Sequence, residues 1–217
     1  MKRKIVMSKG RKVECFMGGS GLPKVVILPG MSSSAYEWEL VVNEWEEAAG
    51  FVIVHRPGCG QSEVGEEKRT TAQFATMNGK QLSGILDPVL SSAHQRLSDS
   101  AKSEIKTFLC SPFLYKAMAS EIEHWEGCAR RIKAMDSFPQ VPLTVIGRDP
   151  TQSVLSSIQD GVPAEEAKMI ETIWQELIQE QVGLSNQGTF ISARQATHSI
   201  HLDRPDVIVE AMKLFLS

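Results

Sequence analysis

The sequence predicts an α/β fold in which a mostly parallel sheet is flanked by helices. Three observations carry this: two compact apolar runs that stop at Pro-Gly, a helical pattern between them, and a third apolar run at 141–146 followed by more helix. The first run, Lys24-Val25-Val26-Ile27-Leu28, ends at Pro29-Gly30. The second, Phe51-Val52-Ile53-Val54, ends at His55-Arg56-Pro57-Gly58. Short β-branched runs cut off by turn residues read as buried, parallel-type strands. Between them Trp38, Val41, Val42 and Trp45 recur at helical spacing, with Ser32–Ser34 placed to cap that helix and Gly50 to close it. The order strand, helix, strand implies a parallel sheet with a crossover helix.

The remaining elements follow the same logic. Residues 3–17 alternate loosely around Ser8-Lys9-Gly10 and predict a β-hairpin. Residues 91–138 are mainly helical, with Ile105, Phe108 and Leu109 on one stripe and Tyr115, Met118, Ala119 and Ile122 on another. Val141–Ile146 reads as a strand ended by Gly147-Arg148-Asp149-Pro150, and 163–182 as an amphipathic helix with Pro163 in its first turn. Phe190–Ala193 is a short strand, and Pro205–Leu216 the last helix, with Asp203 as its cap.

Composition narrows the classes. The chain has 217 residues, net charge −3, 42% hydrophobic and 23% charged residues, which fits a globular domain with room for a small insertion. Without a basic stripe, no nucleic-acid partner is expected. No apolar run approaches the ~20 residues of a membrane helix, and Ile5-Val6-Met7 is too short for a secretory core. Cys15, Cys59, Cys110 and Cys128 lack paired spacing, so they read as thiols in a reducing, cytoplasmic setting. No cofactor and no metal are expected: there is no Gly-rich phosphate loop and no His/Cys/carboxylate cluster with ligand spacing.

Three stretches together resemble the α/β-hydrolase superfamily, in the style of small esterases and lipases with a helical cap. Val25–Met31 resembles the strand and His-Gly that shape the oxyanion hole, with Pro29 where His is usual. Val54-His55-Arg56-Pro57-Gly58-Cys59-Gly60-Gln61-Ser62 resembles the Asp-Arg-x-Gly-x-Gly-x-Ser loop, with His55 in place of Asp. Thr197–Pro205 is similar to the catalytic-histidine loop before the last helix. The resemblance runs from about residue 12 to residue 216. It implies an N-terminal core part at 1–90, a helical cap at 91–138 and a C-terminal core part at 139–217.

One segment does not fit. Such hydrolases carry the nucleophile on a Gly-x-Ser-x-Gly elbow between a strand and a helix, and no serine here is so flanked. The closest is Gln81-Leu82-Ser83-Gly84, which lacks the first glycine and the spacer. Thr71–Phe74 resembles the start of the helix before the elbow strand, and Ser83–Pro88 the strand after the elbow helix. The 20 residues at 64–83 are too few for the unit of roughly 30 residues or more that should lie between. The expectation is therefore an α/β-hydrolase-like sheet with one central strand-helix unit missing. Unpaired strand neighbours would be left behind, or strand 84–87 would move in beside a central strand, at a cost of several kcal/mol against a total stability of about 5–15 kcal/mol.

The resemblance assigns the remaining roles. His198 would be the general base, with His201 as competitor; Asp149 would be the acid that orients it, with Asp87 as the alternative. The backbone N–H of Met31 would be one oxyanion donor. No nucleophile is identified: Ser33, with its neighbours, reads first as a helix cap, and Ser83 lacks a strained elbow. Cys59 reads as a turn filler. Phe108, Leu109, Phe113, Leu114 and Tyr115 line a cap pocket or pack the cap on the core. The chain is thus expected to be a relative of carboxylic-ester hydrolases, impaired or inactive, taking a small ester or apolar ligand. The alternative is a non-catalytic binding protein for a small ligand or partner on the same fold.

Overall fold

A computed structural model describes residues 1–21, 23–45, 49–63, 88–135 and 137–215. Contacts divide the chain into two compact units, Met1–Ala134 and Met135–Ser217.

In the first unit, β1 (Lys2–Ser8) and β2 (Arg11–Gly18) form the expected antiparallel hairpin. Its two turn residues, Lys9 and Gly10, both have positive φ, 48° and 79°, as a tight hairpin turn matched to strand twist requires. β1 is exposed throughout and lies at the sheet edge, where Lys2, Arg3 and Lys4 discourage pairing with another chain. β3 (Pro23–Ile27) runs parallel to β4 (Gly50–Val54), and the strand order is β1-β2-β4-β3. Between them a 3-10 turn, Ala35–Trp38, leads into α1 (Glu39–Trp45). The serine cap is real: Ser34 Oγ accepts the Tyr36 amide at 3.3 Å. Gly50 does not close the helix; it begins β4, opposite Pro23.

The predicted apolar stripe is the core. Val41, Val42 and Trp45 are buried, as are Phe16, Phe51 and Ile53 on the strands, each contributing about 2 kcal/mol by leaving water. After a 3-10 turn at Ser92–Arg96 come α2 (Asp99–Leu109) and α3 (Pro112–Lys133). Phe108, Leu114 and Ala117 pack around Cys59, with Leu109 and Met118 against them. The aromatic and leucine residues of this segment therefore serve mainly as packing; Phe113 is exposed, and the Tyr115 hydroxyl donates to the Leu109 carbonyl.

The second unit holds a separate two-stranded parallel sheet, β5 (Leu143–Gly147) with β6 (Gly188–Ser192). Around it are α4 (Pro150–Gln159), α5 (Ala164–Val182), α6 (Ile200–Asp203) and α7 (Pro205–Lys213). Ala193, Ala196 and Val207 form its core with Ile146, Ile191 and Ile200. α4 was not anticipated, although Asp149-Pro150 is a helix cap followed by a first-turn proline. Asp203 does not cap α7: it ends α6, and Oδ2 accepts both the amide and the hydroxyl of Thr197, at 2.7 and 2.6 Å.

Among the described residues, β3 is the outer strand of its sheet. Val26 and Leu28 are 63% and 67% exposed, unusual for a parallel strand, which is ordinarily covered. The strand expected at 84–87, with Ser83 and Asp87, lies outside the described residues.

Candidate functional site

In the second unit the loops after β5 and β6 are laced together. The Asp149 amide donates to the Ala196 carbonyl at 3.0 Å, and the Gln195 amide donates to Asp149 Oδ2 at 2.8 Å. Oδ1 accepts the amides of Thr151 and Gln152 at 2.8 and 3.3 Å, capping α4. The Gln195 amide, with those of Gln152 and Thr151, holds the Asp149 carboxyl below its ordinary range, because each bond favours the charged form. Gln195 itself has a left-handed backbone, φ 64°, secured by this bond.

His198 follows on the same loop and is exposed. Its ring meets the edge of Trp174 at 6.1 Å between centroids. The Arg148 guanidinium lies over the same indole at 4.8 Å and donates to Glu171 at 2.6 Å. Burial would raise Glu171, but hydrogen bonds from Arg148, Ser153 and Gln175 hold it below the usual carboxylate range. Among the described residues no hydrogen bond joins His198 to Asp149. The structure brings their two loops together, but it occupies the carboxylate with backbone amides. His201 lies half-buried in α6.

In the first unit the loop after β3 carries Met31 and the three serines. Ser33 donates to Glu37 Oε2 at 2.6 Å, so this candidate nucleophile is committed to the helix start. Ser32 has φ 62°, and among the described residues its hydroxyl has no hydrogen-bond partner. Met31 is partly exposed on a cleft of about 500 Å³ that it shares with Arg56 and, from α3, Ser120, Glu121, His124 and Trp125. Arg56 donates to Glu121 at 2.9 Å, tying the loop after β4 to α3.

Behind this loop lies a network that sequence reasoning missed. Glu14, His55 and Ser62 are all buried. His55 Nδ1 and Glu14 Oε2 are 2.7 Å apart, and the Ala35 amide donates to His55 Nε2 at 2.8 Å. Glu14 also accepts from Gln61 N and Arg3 Nε. Ser62 Oγ accepts the Glu14 amide and donates to the His55 carbonyl, both at 2.9 Å. Burial alone would raise the Glu14 carboxyl; the His55 and Gln61 hydrogen bonds, then positive charge on His55 and on Arg3, leave it below the ordinary glutamate range. Gly60 is required: a Cβ there would sit 2.0 Å from Glu14 Oε2, at φ 56°. Glu14 and His55 are 41 residues apart and Glu14 and Gln61 are 47 apart, so no local pattern announces them.

Among the described residues no cluster of His, Cys, Asp and Glu is arranged to hold a metal, and no helix is long and apolar enough to cross a membrane. No protein-family model matches the sequence, and neither does any curated protein. Solved structures do match. An α/β-hydrolase-fold protein from Burkholderia ambifaria superposes with a TM-score of 0.59 at 14% identity, covering 96% of both chains. A thermophilic esterase from Thermogutta terrifontis gives 0.57 at 13%, covering 100% of this chain and 98% of the other. The epoxide hydrolase CorEH gives 0.56 at 13%, covering 99% and 98%. At such identities the likeness shows the fold alone.

Proposed function

From the α/β-hydrolase fold that this chain adopts, we propose that it is a relative of carboxylic-ester hydrolases that has lost the nucleophile elbow and hydrolyses esters weakly or not at all. The observation that carries this is the absence of any Gly-x-Ser-x-Gly in the 217 residues. In this reading 1–90 and 139–217 are the two parts of the core and 91–138 the cap. His198 and Asp149 are the retained base and acid, and the Met31 amide is an oxyanion donor without its usual companion. Loss of the nucleophile in a serine hydrolase costs about 10⁶-fold in turnover. Four cysteines without a disulfide support a reducing, cytoplasmic compartment.

Short-chain nitrophenyl esters test the reading. The expected turnover is no faster than buffer with free imidazole, and unchanged by His198→Ala. A saturable rate that His198→Ala abolishes would overturn it. The cleft beside Met31 favours a second reading, a binding protein for a small ester or apolar ligand: its volume suits a small molecule, and Trp125 gives it an apolar wall. Quenching of tryptophan emission by such a ligand, lost in Trp125→Ala, is the expected sign.

A further inference from the structure

We propose that Glu14 and His55 are a positioning pair for the Gly30–Ala35 loop, and that a second proton on His55 releases it. The inference deepens the proposed function, because that loop carries the Met31 amide, and it rests on that reading for its consequence in catalysis or binding.

The first amides of the 3-10 turn, Ala35–Trp38, have no partner within the turn. The Ala35 amide donates to His55 Nε2 at 2.8 Å. An amide can only donate, so Nε2 carries the lone pair and the proton of the neutral ring lies on Nδ1. There it faces Glu14 Oε2 at 2.7 Å. Glu14 is kept charged and in place by Arg3 and the Gln61 amide, and the absent Cβ of Gly60 leaves its carboxylate room. The ring is clamped by Phe16 from β2 and Phe108 from α2, each 5.2 Å away. One tautomer thus transmits the position of β2 to the loop after β3.

A second proton must go to Nε2. It would point at the Ala35 N–H, replacing a hydrogen bond by two opposed donors, whereas the Glu14 contact would strengthen. The charged groups facing the ring are Glu14 from β2 and, behind it, Arg3 from β1. Tyr36 packs on Phe16, and burial pushes its phenol up, so it stays neutral. Cys59, in the cluster with Phe108, is another titratable side chain close by. Glu104 from α2 acts on Tyr36, and the same loop is held by Ser33 to Glu37, which His94 faces at 3.5 Å, so the effect is read at the His55 ring and the Ala35 amide themselves.

The test follows the ring nitrogens of His55 and the exchange of the Ala35 amide by ¹⁵N NMR through an acid titration of the full chain. The proton is expected on Nδ1 at neutral pH, and Ala35 protection should fall roughly tenfold, the worth of one hydrogen bond, in step with the His55 transition. In Glu14→Gln the transition should move to lower pH, because the carboxylate that favours the imidazolium is gone. His55→Gln keeps an acceptor near the Nε2 position and should protect Ala35 at every pH. Protection that ignores the His55 transition, or a proton on Nε2 at neutral pH, would overturn the proposal; the wild-type titration decides alone if a variant fails to fold. These readouts need no activity, so serine turnover in the ester assay would overturn the proposed function without touching this pair.

Discussion

His55 and His198 stand in opposite surroundings. His55 is 3% exposed, both ring nitrogens are engaged, and its partner Glu14 is 1% exposed. His198 is exposed on a loop and touches the edge of Trp174, while the nearby carboxylate of Asp149 holds three backbone amides. The histidine in a family-like catalytic loop is thus the loosely held one, and the one that departs from a family-like motif is built into the core. A motif reports where a side chain sits along the chain. Hydrogen bonding and burial report what it does for the fold, and the two histidines separate these kinds of information.

The sharpest way to break the comparison is at Gly60. Gly60→Ala adds a Cβ against Glu14 and His55 in a left-handed position and should cost roughly 3 kcal/mol or more, measured by urea unfolding. His55→Ala, which leaves Glu14 buried beside an empty site, should cost about 3 kcal/mol; His198→Ala, on the surface, should change stability by no more than about 0.5 kcal/mol. If the two histidine variants unfold alike, the contrast fails. Asp149→Ala should fall between, at about 1–2 kcal/mol, because it removes a helix cap and frees the Gln195 turn.

Acid should expose the same difference. Glu14 titrates below its ordinary value of 4.5 in the folded protein. A depressed carboxyl contributes stability that is present above the unfolded value and is lost as pH falls through the folded one. Unfolding free energy should therefore decline below about pH 4.5, and Glu14→Gln should flatten that decline more than His198→Ala does. The smallest effect is expected at Ser32: Ser32→Gly relieves a left-handed serine and should stabilise the chain by about 1 kcal/mol.

Much of this was legible in the sequence where the cause is local. The hairpin turn, the strands read at 24–28, 51–54 and 141–146, and the stripe Val41, Val42, Trp45 follow from periodicity and turn chemistry; the strands form at 23–27, 50–54 and 143–147, within two residues of those bounds, and the stripe is buried. What depends on distant partners was not legible. Glu14 sits in an alternating strand where a glutamate reads as a solvent-facing residue; only the loop 55–62, folded back on β2, buries it. Asp203 reads as a cap because it precedes Pro205, yet Thr197 claims its carboxylate from six residues upstream. α4 was passed over although its cap and proline stand side by side at 149–150.

The proposed loss of the nucleophile means that no serine here should act as one. Labelling with a fluorophosphonate probe and mapping the labelled peptide, in wild type and in His198→Ala, addresses it directly. No serine adduct is expected, from a protein that still unfolds cooperatively. A single serine labelled in wild type and silent in His198→Ala would contradict it and name the missing residue.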